Sequence, residues 1–235
     1  MKNPAAGGGR WVEVAPGRFA TWVDEFARRH GGITGVVKHF GGTIVTFTAA
    51  DTAVAECHPP FPPLREPDEA DEPLATARAI AAHAAVDRTV AVLLVRLGGY
   101  AVGVFRGAPP VLISYKTGSR PVHGRSAAGG WSQHRFARRR EKQANEALGA
   151  ATAAAAALFQ QQRQVDAVVL GGDRRAVAGL ADDLRLAPYL ARSTDRFLTV
   201  PDPRLAVLRD TPRAFQAIRI RLLDPAPPAQ PAPPA

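Results

Sequence analysis

Lys116-Thr-Gly-Ser-Arg-Pro-Val-His-Gly-Arg-Ser-Ala-Ala-Gly-Gly-Trp-Ser-Gln133 is a basic, Gly/Ser-rich stretch without apolar periodicity, and His134-Arg-Phe-Ala-Arg-Arg-Arg-Glu-Lys142 follows it directly. The first part reads as a loop over 116–133, the second as the head of a long helix over 134–163. From Lys116 to Gln143 there are eight Lys or Arg and one Glu, so this stretch holds seven of the chain's nine net positive charges. A loop this long inside a compact domain is uncommon and is usually functional or disordered. Charge gathered on one loop and one helix start expects a polyanion. Lys116, Arg120, Arg125, Arg135, Arg138, Arg139, Arg140 and Lys142 are therefore candidate RNA-phosphate contacts.

The flanking pattern sets the fold class. Residues 89–95 form an apolar strand, Gly98-Gly99 turns the chain, and 100–105 form a second strand. Residues 111–115 form a third and deliver the chain to the loop. Beyond it Phe136, Ala144, Leu148, Ala151, Ala155 and Leu158 step mainly by threes and fours, as on an amphipathic helix of about 45 Å. Residues 165–170 read as a buried strand. Asp173 reads as the N-cap of a helix over 174–186. Residues 196–200 are a strand, and 214–222 alternate as a half-exposed one. The expectation is an α/β domain over 89–223, a mixed sheet with helices packed on it.

The N-terminal part reads as a separate small module. Residues 11–14 are a short strand, and Phe19, Trp22, Val23 and Phe26 recur at helical spacing. Arg28-Arg29-His30-Gly31-Gly32 ends that helix with cations and then glycine. Residues 33–39 and 43–48 are two strands joined at Phe40-Gly41-Gly42. This gives a β-α-β-β module over 10–62. Trp11, Trp22, Phe26 and Phe40 are its expected core, with base stacking as the alternative use of such rings. Cys57-His58 and the prolines after them read as a linker rather than a metal site, since two further ligands at suitable spacing are lacking. An acidic linker and a helix over 63–88, an unstructured start over 1–9 and an extended Pro/Ala tail over 224–235 complete the division.

Composition narrows the function class. The chain has 235 residues, a net charge of +9 and one cysteine. No intramolecular disulfide and no cysteine-based zinc site is expected, which fits a reducing cytoplasm. No signal peptide and no membrane-length apolar run are visible. Gly171-Gly172-Asp173 lacks both the P-loop and the dinucleotide spacing, so no cofactor and no metal are expected. There is no Gly-x-Ser-x-Gly elbow, and the six histidines do not pair with carboxylates at a recognisable spacing. A self-sufficient hydrolase is hard to assemble from these parts.

One task does suit Gly129-Gly130-Trp131-Ser132-Gln133. The two glycines allow close backbone approach to a substrate. The Gln133 amide both donates and accepts, so it can orient a neutral water. Backbone N–H groups before a helix N-terminus can stabilise a developing oxyanion. An activated ester held by another assembly needs little more than this positioning. Gln133 reads as catalytic or as a helix cap, and Ser132 as an N-cap rather than a nucleophile. Trp131 either stacks on a nucleotide base or packs on the helix.

Lys116-Thr-Gly, Gly129-Gly130, Ser132-Gln133 and the cluster from Arg135 to Lys142 resemble the catalytic domain of class I release factors of the eukaryotic and archaeal type. The resemblance covers about residues 89–200. It is nearer still to the release-factor-like hydrolases of ribosome rescue and quality control, including the actinobacterial single-domain members. In release factors proper the Gly-Gly-Gln tip is contiguous, whereas Trp131-Ser132 intervene here; a side-chain role for Gln133 survives that change. A stop-codon-reading domain is missing. The resemblance implies a cytoplasmic, monomeric peptidyl-tRNA hydrolase that enters the peptidyl-transferase centre of the large subunit and touches rRNA and peptidyl-tRNA. Gln133, Gly129 and Gly130 would be its catalytic residues. The rivals are a non-catalytic RNA- or ribosome-binding module and an endonuclease that cuts near the tRNA 3′ end with the same loop.

Overall fold

The computed structural model describes residues 3–4, 8–64, 72–96, 98–119 and 131–225, the side chains of 3–4 and 131–145 excepted. The elements in chain order are β1 (Asn3–Pro4), β2 (Arg10–Val14), α1 (Pro16–Arg29), β3 (Ile33–His39), β4 (Ile44–Ala49), β5 (Val54–His58) and α2 (Pro73–Ala84). There follow β6 (Val90–Arg96), β7 (Gly99–Arg106), β8 (Val111–Ser119), α3 (Trp131–Gln160), β9 (Ala167–Gly172), α4 (Arg174–Ala178), α5 (Ala187–Leu190), β10 (Ser193–Leu198), α6 (Leu205–Phe215) and β11 (Ile218–Leu223). The chain divides into two compact units, 1–85 with 216–235 and 86–215.

The first unit is an antiparallel sheet in the order β1-β2-β11-β5-β4-β3. Period-2 alternation gives each strand one buried face: Val45 and Phe47 on β4, Ala55 and Cys57 on β5, Ile218 and Ile220 on β11. Phe19, Val23 and Phe26 of α1 and Ala77 and Ile80 of α2 complete that core. Pro16 opens α1, where a missing N–H costs nothing. Gly31 at φ 76 closes it, with Gly32 N–H donating to Ala27 O at 2.8 Å.

Several expectations change here. Cys57 and His58 lie in β5, a central strand, so they are not linker; the prolines that signalled a break begin one residue later. Ile218–Leu223 belongs to this sheet, between β2 and β5, and not to the second unit. Asn3–Pro4 pairs with Arg10–Trp11 where an unstructured start was expected. Phe40 is not core: it is 82% exposed at the β3–β4 turn. Trp11 is half-buried on the outer face of the sheet, under the Arg219 guanidinium at 4.5 Å and edge-on to His58. Residues 65–71 of the acidic linker and 226–235 of the tail lie outside the described residues.

The second unit is a mixed α/β layer. Its sheet runs β10-β9-β6-β7-β8, with β6, β9 and β10 parallel and β6-β7-β8 antiparallel. Both faces are covered, which is why β6 and β7 are buried almost end to end. On one face Ala151, Ala154, Ala155 and Phe159 of α3 pack with Leu93, Val102 and Val104. On the other, Phe105 meets Phe215 of α6 edge-on at 5.6 Å, and Leu208 lies over Gly103.

Asp173 caps α4, accepting from Arg175 N and Ala176 N at 2.8 and 3.3 Å. The helix expected over 174–186 stops at Ala178. Asp183 accepts the Arg185 N–H at 2.9 Å, a local turn that competes with helix, and Leu180 and Leu186 are buried beneath it. The strand expected over 196–200 is β10 at 193–198, and α6 had no counterpart in the sequence reading.

Candidate functional site

The site is built where β8 leaves the sheet and α3 returns to it. β8 is an edge strand, and it stays paired with β7 as far as Gly99↔Ser119. Lys116 therefore lies on a strand, opposite Val102 and exposed, rather than on the loop expected from 116. The Gly and Ser of 116–119 are poor strand formers, but a long partner overrides that preference. Gly118 is required by its neighbour: a Cβ there would lie 2.9 Å from Tyr100 Oη.

Residues 120–130, and with them Arg120, Arg125, Gly129 and Gly130, lie outside the described residues. α3 begins at Trp131, three residues earlier than expected, and ends at Gln160. Trp131, Ser132 and Gln133 are its first three residues. Ser132 is thus inside the first turn and not the N-cap. The first-turn N–H groups of a helix have no intrahelical acceptor and carry the positive end of its dipole. Arg135, Arg138, Arg139, Arg140 and Lys142 follow within the next three turns. At 3.6 residues per turn, positions 135, 138, 139 and 142 share an arc of about 100°, and position 140 falls outside it.

The far half of α3 anchors this end. Ala151, Ala154 and Ala155 are fully or almost fully buried, and their small side chains let the helix lie close on β6 and β7. Thr152 Oγ1 donates to Leu148 O at 3.0 Å, satisfying the buried hydroxyl of the same face.

The charge of the chain resides in this unit. Residues 86–215 hold 20 Lys or Arg against 10 Asp or Glu, whereas the first unit holds 10 against 11. Many of these cations are occupied structurally. Arg96 donates to Val200 O at 2.8 Å, Arg192 to Val165 O at 2.7 Å and Arg106 to Gln162 Oε1 at 3.1 Å. Arg174 stacks over the Phe197 ring at 4.3 Å, and Arg185 pairs with Asp183. The eight from Lys116 to Lys142 make up the largest sequence cluster among the 20.

Tyr115 ends the strand read over 111–115 and had no surface role in the sequence reading. It is 48% exposed, adjacent to Lys116 on the strand that feeds the loop. Val111-Leu-Ile-Ser-Tyr115 marked a strand but could not say that it would be an edge.

Two histidines do pair with carboxylates, against expectation. His30 Nδ1 lies 2.8 Å from Asp51 Oδ2, and His58 Nε2 lies 2.8 Å from Glu56 Oε1. Both pairs are in the first unit. Burial, reinforced by the nearby Glu56 charge, pushes the Cys57 thiol well up, so it is no nucleophile. Among the described residues no three His, Cys, Asp or Glu gather as a metal site, and no helix is long and apolar enough to cross a membrane.

Comparison with known proteins bears on this unit. The family model described as Actinobacteria/chloroflexi VLRF1 release factor matches residues 88–221. No curated protein matches the chain. Among solved structures, the Vms1 mitochondrial localization core is similar over 85% of this chain and 80% of that one, at 12% identity and a TM-score of 0.38; a likeness at that level carries no argument.

Proposed function

Because this chain belongs to the family of Actinobacteria/chloroflexi VLRF1 release factors, we propose that it is a peptidyl-tRNA hydrolase that frees nascent chains from stalled ribosomes or large subunits. The observation that carries this reading is the family match over 88–221, which spans the basic stretch from Lys116 to Lys142 entire.

The chemistry asked of the protein is small. Water attacks the ester carbonyl carbon, a tetrahedral oxyanion forms, and the ribose 3′ oxygen leaves with a proton. In this reading the Gln133 amide holds the water, and Gly129 and Gly130 let the backbone come close. The first-turn N–H groups of α3, which have no intrahelical acceptor, favour developing negative charge. Lys116, Arg120, Arg125, Arg135, Arg138, Arg139 and Lys142 hold rRNA and the tRNA acceptor end, Arg140 lies off their arc of α3 and adds only a weak contact, and Trp131 and Ser132 touch RNA beside the ester. No metal or cofactor enters the scheme, and the protein acts as a cytoplasmic monomer.

The test is peptide release from stalled ribosome–nascent-chain complexes. Gln133→Ala should slow release by about a hundredfold or more while large-subunit binding persists. Release at the wild-type rate rejects the catalytic role, and absence of release by the wild type leaves a binding module only. A tRNA product without an intact CCA end would assign phosphodiester rather than ester cleavage.

A further inference from the structure

We propose that Arg96, Arg174, Arg175 and Arg204 form a second phosphate-binding surface, which takes the backbone of ribosomal RNA at the end of the sheet from which the basic stretch departs. The inference rests on the reading above that this chain works on large subunits.

The four arginines come from three segments that meet at one end of the second unit's sheet. β6 and β9 are parallel, so both finish there, at Arg96 and Gly172. A Cβ on Gly172 would lie 3.1 Å from Arg96 Cγ, and Arg174 and Arg175 follow just beyond Gly172. β10, parallel to β9, ends at Leu198. The chain after it turns over the same end: Val200 O accepts from Arg96, and Pro203 O would lie 3.9 Å from a Cβ on Gly99. Gly99 is the partner of Ser119, the last residue of β8. The backbone at Arg204 therefore stands beside the exit of the basic stretch.

Two of these arginines are positioned by groups that carry no charge. Arg96 Nη1 donates to Val200 O at 2.8 Å, and the Arg174 guanidinium lies over the Phe197 ring at 4.3 Å. A carbonyl or a ring fixes the direction of a guanidinium but leaves its charge, and most of its N–H donors, for a phosphate. Arg28, Arg185, Arg219 and Arg221 are held differently, each within 3.7 Å of a carboxylate. Among the described residues no carboxylate lies at ion-pair distance from Arg96, Arg174, Arg175 or Arg204, and all four are exposed. The acids of these segments are Asp173 and Asp202. Asp173 is engaged in capping α4.

Two observations select RNA as the occupant. The surface is continuous with the exit of the stretch that carries seven of the nine net positive charges, so one polyanion can span both. It also lacks the apolar anchors of a protein interface. The exposed large apolar side chains of this unit, Val86, Val111, Ile113, Tyr115 and Leu184, all lie outside the three segments.

The opposite end of the same sheet supplies the control. Arg163 lies there, next to the Gln162 that Arg106 binds, and so does Arg213, in the last turn of α6 near the Phe105–Phe215 contact. Binding of the full chain to purified large subunits is titrated between about 50 and 200 mM salt. Arg175→Ala with Arg204→Ala should lower the log–log salt slope by about 1.4 to 1.8, and Arg175→Lys with Arg204→Lys should keep the wild-type slope. Arg163→Ala with Arg213→Ala removes the same charge and should change the slope by much less than one contact. A photo-cross-linking residue at position 204 should capture rRNA. An unchanged slope in the first alanine pair, or an equal loss in the control pair, overturns the surface while the release reading stands. Cross-linking to a ribosomal protein overturns the RNA partner. A wild type that does not bind large subunits overturns the release reading, and the surface with it.

Discussion

His30 Nδ1 lies 2.8 Å from Asp51 Oδ2 and ties the last turn of α1 to the β4–β5 turn. The same carboxylate accepts the Ala53 N–H through Oδ1 at 3.0 Å. The His30 hydrogen bond first, and the Ala53 N–H after it, hold the Asp51 carboxyl below its ordinary value of 3.8. A depressed carboxyl stabilises the fold only while ionised. Its contribution is therefore full above pH 3.8 and is lost as pH falls through the lower folded value. Asp51→Asn should melt below the wild type at pH 6, with a gap that closes in strong acid. Thermal melts between pH 6 and pH 2 check this, and a gap independent of pH would show that the charge plays no part.

Gly172 ends β9 at φ 103, and a Cβ there would overlap Val95 O on the neighbouring strand. The obstacle is backbone, which cannot swing aside as a flexible side chain can. The next residue uses the same carbonyl: Asp173 N–H donates to Val95 O at 2.7 Å. Gly172→Ala combines overpacking with a left-handed backbone and should cost at least about 2 kcal/mol. Chemical denaturation measures it. A cost under about 0.5 kcal/mol would mean that β9 separates from β6 without penalty.

Removing β11 should unfold one unit and spare the other. β11 is paired on both sides, from Ile218↔Val14 to Leu222↔Arg10 and from Arg219↔His58 to Leu223↔Val54. Ile218 and Ile220 are fully buried, each contributing about 1.5–3 kcal/mol. A chain ending at Phe215 also leaves β2 and β5 with bare edges. Amides of 10–58 should lose hydrogen-exchange protection while those of β6, β7 and β9 keep it. Retained protection in β5 would contradict the sheet order.

The limits of the sequence reading follow from the range of the interactions that decide each element. β6 and β7 were legible because both are buried and Gly98-Gly99 punctuates them. The C-terminal half of α3 was legible from its three-and-four steps. β5 was hidden because Pro59 and Pro60 follow it at once. The sheet that takes β11 is chosen by partners at positions 10–14 and 54–58, which no local pattern reveals. α6 carries Pro212 in its interior, where proline ordinarily breaks a helix, although Leu208 and Phe215 mark its buried stripe. Phe40 suggested core by residue type, but the Gly41-Gly42 turn sends it outward. At the site, the charge cluster was visible. Which arginines are held by carbonyls, as Arg96 and Arg192 are, required coordinates.

Cations that contact phosphate should reveal themselves in the salt dependence of binding. Each phosphate neutralised contributes to the log–log salt slope, about 0.7 per contact on single strands and 0.9 on duplex. Positions 138 and 139 share an arc of α3 with 135 and 142, whereas position 140 lies outside it. If that arc faces RNA, Arg138→Ala with Arg139→Ala should reduce the slope for large-subunit binding by about 1.4 to 1.8. Arg140→Ala alone should change it by much less than one contact. Gln133→Ala, which removes no charge, should leave the slope as it is. Titrations of binding between 50 and 200 mM salt, a range over which such contacts are resolved, separate the three variants. Equal losses at positions 138, 139 and 140 would mean that RNA surrounds the helix head rather than meeting one face of it.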